Sequence, residues 1–140
     1  MKSKLVLSVE QMKYLRELGL NTSDASMCYC CFYGNIEEEW ELEIYEDVIN
    51  QKRDSTFLDI VPTYTFQEII ELLPKEIKTV TDTYYLTIST YDCDVWSIYY
   101  SMSDEFDYYK EFKSDSLIDA AYEMLCWCIE NDYVKVNKEE

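Results

Sequence analysis

Apolar residues recur along this chain in two rhythms, one at helical spacing and one that alternates. Ser8-Val-Glu-Gln11 is a capping-box pattern, in which Ser8 and Gln11 satisfy each other's orphan backbone donors. Met12, Leu15 and Leu18 then fall on one face, Gly19 supplies the C-terminal stop, and Leu20 packs under that end. From Met27 to Tyr33 aromatic and cysteine side chains predict a strand, and Gly34-Asn35 offers turn chemistry. Glu39-Trp-Glu-Leu-Glu-Ile-Tyr45 is the cleanest alternation. It sets Trp40, Leu42 and Ile44 against Glu39, Glu41 and Glu43, the period of a half-buried strand. The two segments predict an antiparallel hairpin.

Residues Glu46 to Val61 are less regular and predict a loop or a short edge element. Pro62 leads into Thr65-Phe-Gln-Glu68, a second capping box, and a helix carrying Phe66, Ile69, Ile70, Leu72 and Leu73 that Pro74 ends. A second hairpin follows, from Tyr84 to Thr90 and from Val95 to Ser101, with Tyr91-Asp-Cys-Asp94 at its tip. Leu86 and Ile88 share one face of it, as do Trp96, Ile98 and Tyr100. The last helix, from about Ser114 to Asn131, is apolar almost all round and so predicts the central packing element. Beyond Lys135 a polar tail should fray. The order helix, hairpin, helix, hairpin, helix predicts a single α+β domain over residues 1–140. Its expected form is a four-stranded antiparallel sheet with helices packed on one face.

Composition narrows the function classes. Of the 140 residues 48% are hydrophobic and 16% aromatic, which excludes a disordered acidic tail despite a net charge of −17. That charge repels phosphate backbones and anionic headgroups, so direct nucleic-acid binding and a membrane-surface role are disfavoured, whereas a basic protein partner is compatible. The apolar run after Lys4 stops at three residues, and no stretch approaches the roughly 20 apolar residues of a membrane span. The expectation is a cytoplasmic protein.

The charge is unevenly spread. No basic residue occurs between Arg16 and Lys52 against nine acids, and none between Lys78 and Lys110 against six. Both expected hairpins lie in those stretches. On one shared sheet, Glu39, Glu41 and Glu43 would form a ladder with carboxylates about 6.6 Å apart. Tyr45, Tyr85 and Tyr99 would lie beside them, with Tyr29 and Tyr33 as further neighbours. Tyrosine supplies rigid amphipathic contact area. This face is the candidate protein-binding surface, and a merely solvated face is the competing reading.

Catalytic chemistry has little to build on. Histidine is absent, which removes the commonest general base and every Ser-His, Cys-His or His-metal arrangement. Two glycines cannot form a phosphate-cradling loop, and no carboxylate spacing singles out an acid/base pair. Cys28, Cys30, Cys31, Cys126 and Cys128 are the only thiolate constellation, but the spacing is not that of a structural zinc site. Buried reduced cysteine is the favoured account, and neither cofactor nor metal is implied.

Four segments carry a family likeness: Leu7-Ser-Val-Glu-Gln-Met-Lys-Tyr-Leu-Arg-Glu-Leu-Gly19, Asn21-Thr-Ser-Asp-Ala-Ser-Met27, Pro62-Thr-Tyr-Thr-Phe-Gln-Glu68 and Asp119-Ala-Ala-Tyr-Glu-Met-Leu-Cys-Trp-Cys-Ile-Glu-Asn131. In these the chain resembles uncharacterised small acidic proteins encoded by phages and mobile elements of gut Bacteroides. The resemblance implies a bacterial cytoplasm and an accessory role, and carries no activity. The expected function is non-enzymatic docking on a basic protein partner. A nucleic-acid mimic that inhibits a DNA- or RNA-binding protein, and a small-molecule or nucleotide-binding protein, are the alternatives.

Overall fold

The computed structural model describes residues 4–32, 40–50, 57–102 and 108–136. The chain divides into two compact units. One is Val6–Thr65, and the other is Phe66–Val136 together with the start of the chain through Leu5.

The first unit begins with α1 (Val9–Glu17). Its capping box is formed in full: the Gln11 amide donates to Ser8 Oγ at 3.2 Å, and the Ser8 amide donates to Gln11 Oε1 at 2.9 Å. Gly19 takes φ 101°, a left-handed value. Its amide donates to the Arg16 carbonyl and that of Leu20 to the Leu15 carbonyl, the two bonds of a Schellman stop. Strands β1 (Met27–Phe32), β2 (Trp40–Ile44) and β3 (Phe57–Thr63) form an antiparallel sheet in the order β2-β1-β3, and α2 (Tyr45–Asn50) follows β2 directly.

The register sorts the side chains of this sheet. Cys28 and Cys30 pair with Glu43 and Glu41 on one side and with Pro62 and Ile60 on the other. Directly paired residues share a face, so these six lie together. Val48 of α2 packs on Cys28 and Cys30, with Tyr45 and Ile60 alongside. The opposite face carries Tyr29, Cys31, Trp40, Leu42 and Val61, and the Lys13 ammonium of α1 lies 5.9 Å from the Trp40 ring. Helices therefore sit on both sides of β1, whose Cys28, Cys30 and Cys31 are all buried.

The second unit contains α3 (Phe66–Leu72), β4 (Glu76–Lys78), β5 (Thr83–Asp92), β6 (Val95–Ser101), β7 (Tyr108–Ser114) and α4 (Leu117–Glu130). Its four strands form an antiparallel meander in chain order. Leu86 and Ile88 pair with Tyr100 and Ile98, and Ile98 pairs with Phe112, so one face is apolar. The buried Tyr100 donates its hydroxyl proton to the Pro74 carbonyl at 2.6 Å. Helix α4 packs on β6, β7 and α3, and eight of its fourteen residues are buried. Burying a leucine such as Leu125 contributes about 2 kcal/mol, which makes this helix the main apolar contributor to the unit. It also ends in a Schellman stop. The Asp132 amide donates to the Ile129 carbonyl and that of Tyr133 to the Cys128 carbonyl, with Asp132 at φ 64°.

The α+β class holds, but the expected order of elements and the single four-stranded sheet do not. Among the described residues there are two antiparallel sheets, of three and four strands, and four helices. The stretch from Glu46 to Val61, expected to be a loop or a short edge element, holds most of α2 and of the edge strand β3, whose Pro62 is tolerated because an edge strand leaves one side of its backbone unpaired. β1 consequently pairs on both sides instead of closing a simple hairpin. β4 is only three residues long, and β7 has Phe112 among charged and tyrosine residues, so neither has a clean apolar alternation. Helices on one face alone also fail, since α2 and α1 take opposite faces of the smaller sheet. The expected frayed tail from Lys135 extends beyond the described residues after Val136.

The two helix stops make opposite predictions. Gly19→Ala should lower the unfolding free energy by about 1 kcal/mol, because a Cβ is disfavoured at positive φ. Asp132→Gly relieves about 1 kcal/mol of the same cost against about 0.5 kcal/mol of added chain entropy. It should therefore raise stability by about 0.5 kcal/mol. Urea titrations of the two variants against the parent chain check both signs.

Candidate functional site

Strand β2 carries the carboxylates of the candidate surface. Glu41 is exposed and Glu43 half-buried, and both lie on the face of Cys28 and Cys30 at the rim of the sheet. The alternation read from sequence is present, but its apolar side is not covered. Leu42 is 39% and Ile44 51% exposed on this edge strand, whereas Trp40 is half-buried with the Lys13 ammonium of α1 near its ring. Ile49, on the exposed side of α2, is also largely exposed. Glu39 lies outside the described residues, as do Tyr33, Glu37 and Glu38.

Of the tyrosines expected beside these carboxylates, Tyr45 stays near their face of the sheet, and Tyr85 and Tyr99 lie on another sheet. Tyr45 is the first residue of α2 and packs against the Cys28–Cys30–Val48 cluster. Tyr85 on β5 and Tyr99 on β6 belong to the other unit and the other sheet. There Tyr85 is exposed, and the Tyr99 ring lies 4.3 Å from that of Tyr108. Their face is polar rather than acidic: Ser97 donates to Glu111 Oε2 at 2.6 Å, and Lys113 lies 3.7 Å from Glu111. In this unit the acids Asp82 and Asp94 sit in turns, while β7 contributes Lys110 and Lys113. Glu41 and Glu43 thus belong to one sheet, and Tyr85 and Tyr99 to the other.

Two arrangements went unread in the sequence. The first is an aromatic group formed where the β6–β7 register shifts beside Tyr109. The Tyr109 ring stacks on Tyr84 at 4.7 Å and meets Trp127 and Tyr133 edge-on at 6.0 and 6.3 Å. The Tyr109 and Tyr133 hydroxyl oxygens are 2.7 Å apart, and that hydrogen bond pushes the Tyr133 phenol up to about 12. The aromatic pair Tyr108-Tyr109 was the available signal, hidden because no strand was expected there.

The second is an open cleft of about 1000 Å³ at the C-terminal end of α1. Arg16, Asn21, Thr22, Ser23, Tyr45 and Pro62 are among its lining residues. The turn beneath it is held by the Ser23 amide donating to Asn21 Oδ1 at 3.0 Å. The buried Tyr64 hydroxyl donates to Asp24 Oδ1 at 2.7 Å. The run Asn21-Thr-Ser-Asp24 after a helix-ending glycine was the signal for this turn. The guanidinium of Arg16, the carboxylate of Glu17, small polar side chains and one aromatic ring equip the cleft to hold a small polar molecule.

The cysteines bear on metal binding and reactivity. Cys28 and Cys30 bring their sulfurs within 3.7 Å, but Cys126 and Cys128 belong to the other unit. Among the described residues no group of three or more Cys, Asp or Glu side chains is arranged to hold a metal ion. Burial raises the Cys126 thiol to about 11 and the Cys128 thiol to about 12. No helix among the described residues is long and apolar enough to cross a membrane. Comparison of the chain with protein-family models, with curated proteins and with solved structures finds no match in any of the three.

These thiols make a direct prediction. Five of the six cysteines are buried and Cys93 is exposed. A disulfide reagent at about pH 8 should therefore label one thiol quickly and the rest only on unfolding, and Cys93→Ser should abolish the fast phase. The stability contributed by neutral Cys126 and Cys128 is complete below the ordinary thiol value of 9.0 and is lost as pH rises through about 11 and 12. Denaturant midpoints should accordingly fall on the alkaline side of about pH 9.

Proposed function

We propose that this chain is a non-enzymatic docking protein that binds a basic protein partner through the carboxylates of β2. The observation that carries the reading is the placement of Glu41 and Glu43 at alternate positions of an edge strand, in a stretch from residue 17 to residue 51 without a single cation. Opposite charge on a partner speeds encounter and fixes orientation. Tyr85 and Tyr99 belong to a different sheet and do not enter the proposed contact. The family resemblance supports an accessory protein of a phage or mobile element that acts in the bacterial cytoplasm.

The cleft beside α1 favours a second reading, a small-molecule binding protein with Arg16 as the charged anchor and Tyr45 as the stacking surface. A ligand at 100-fold its Kd would add about 2.7 kcal/mol to the unfolding free energy, so a thermal-shift screen with Arg16→Ala as control distinguishes this class.

The docking reading is tested by affinity capture from a bacterial lysate at salt concentrations from about 0.05 to 0.3 M, a range over which screening of exposed charges increases strongly. Capture should weaken with salt and be lost in the Glu41→Lys/Glu43→Lys variant. Partners that ignore both changes would refute the reading. Added duplex DNA that displaces the captured partner would identify a nucleic-acid mimic, whereas joint binding of partner and DNA would exclude mimicry.

A further inference from the structure

A sheet edge presents unpaired backbone donors and acceptors, and proteins normally blunt it with proline, charged side chains and lysine above all, bulges or extreme shortness. Among the described residues the two sheets have four edges, and three carry such devices. β3 contains Pro62, its register with β1 shifts beside Phe32, and the residues after it are engaged by Val6 and Leu7. β4 is three residues long. β7 carries Lys110 and Lys113 and a register shift beside Tyr109. Among the described residues β2 has no proline, glycine or lysine, and its pairing with β1 runs without a shift from Ile44 to Trp40. Its charged side chains, Glu41 and Glu43, are anionic and so deter strands of like charge rather than cationic ones.

The two faces of β2 differ in chemistry. One exposes Leu42 and Ile44, and the other carries the exposed Glu41 and the half-buried Glu43. Pairing of β2 with a second copy of itself is opposed by charge. Antiparallel alignment about Leu42 sets Glu41 against Glu43 of the other copy, and any shift that preserves the faces again sets glutamate against glutamate. A segment with cations at alternate positions and apolar residues between them meets both faces at once.

We propose that β2 is a strand-addition site that takes an extended segment of a partner protein, in which lysine or arginine alternates with aliphatic residues. The backbone of β2 supplies the hydrogen bonds, Glu41 and Glu43 select the cations, and Leu42 and Ile44 cover the aliphatic positions. This rests on the docking reading above and adds to it the conformation and residue pattern of the partner.

Synthetic peptides of about six residues, the length of an ordinary strand, test the mode. One alternates lysine and valine, a second has the same composition with lysines and valines in separate blocks, and a third alternates glutamate and valine. Binding to the full chain is followed by fluorescence anisotropy at about 0.15 M salt, where non-local charge attraction is screened. The alternating lysine peptide should bind about tenfold more tightly than the blocked one, given the cross-strand pairs it alone can make. It should slow hydrogen exchange of amides within 40–44, and the glutamate peptide should not bind. Leu42→Lys, which places a lysine on the edge at an already exposed position, should remove the preference without unfolding the chain. Equal binding of the two lysine peptides, or no added protection of β2, overturns strand addition and leaves charge-driven docking standing. Failure of both lysine peptides to bind overturns the docking reading as well.

Discussion

A helix with apolar side chains around most of its circumference has to be enclosed, and α4 sets that requirement for the second unit. Ile118, Ala121, Met124, Leu125, Cys128 and Ile129 are all buried. One antiparallel meander and one short helix provide the enclosure, through β6, β7 and α3. The apolar face of β6, with Ile98 and Tyr100, exists to meet this demand. Tyr100 can be buried there because the Pro74 carbonyl accepts its proton. The raised thiol of Cys128 has the same cause, since removing water from around the helix penalises a thiolate.

The first unit meets a similar demand with a strand. β1 is paired along both edges and covered on both faces, which leaves β2 and β3 to form the margins of the sheet. Marginal strands need not be apolar on one side. That is why β2 can place leucine and isoleucine in water opposite glutamates, and why β3 can hold a proline.

How much of this was legible in the sequence follows the same division. Elements with strong local chemistry were readable: the Ser8–Gln11 box, the Gly19 stop, the alternation around Trp40 and the apolar span before Asn131. What was missed lay in segments whose conformation depends on a neighbour. β3, β4 and β7 become strands because β1, β5 and β6 offer them unpaired backbone, and Asp59, Pro62, Lys110 and Glu111 disguise the pattern. The candidate site suffered from the same gap. With one sheet assumed, Glu41, Glu43, Tyr85 and Tyr99 shared a face; with two sheets, they do not. Alternation within β2 identified which residues share a side but not which side faces water, since that depends on the position of the strand in its sheet.

The path of the chain between the two units has a consequence for any attempt to separate them. Lys4 belongs to the same unit as α4, and its ammonium lies 2.8 Å from the Asp119 carboxylate near the start of that helix. The stretch Val6–Thr65 is therefore threaded between two parts of one unit, as in a domain insertion. Cutting the chain at residue 66 would yield a fragment that has lost one of its own members. A circular permutant or a short linker replacing the inserted stretch would retain it.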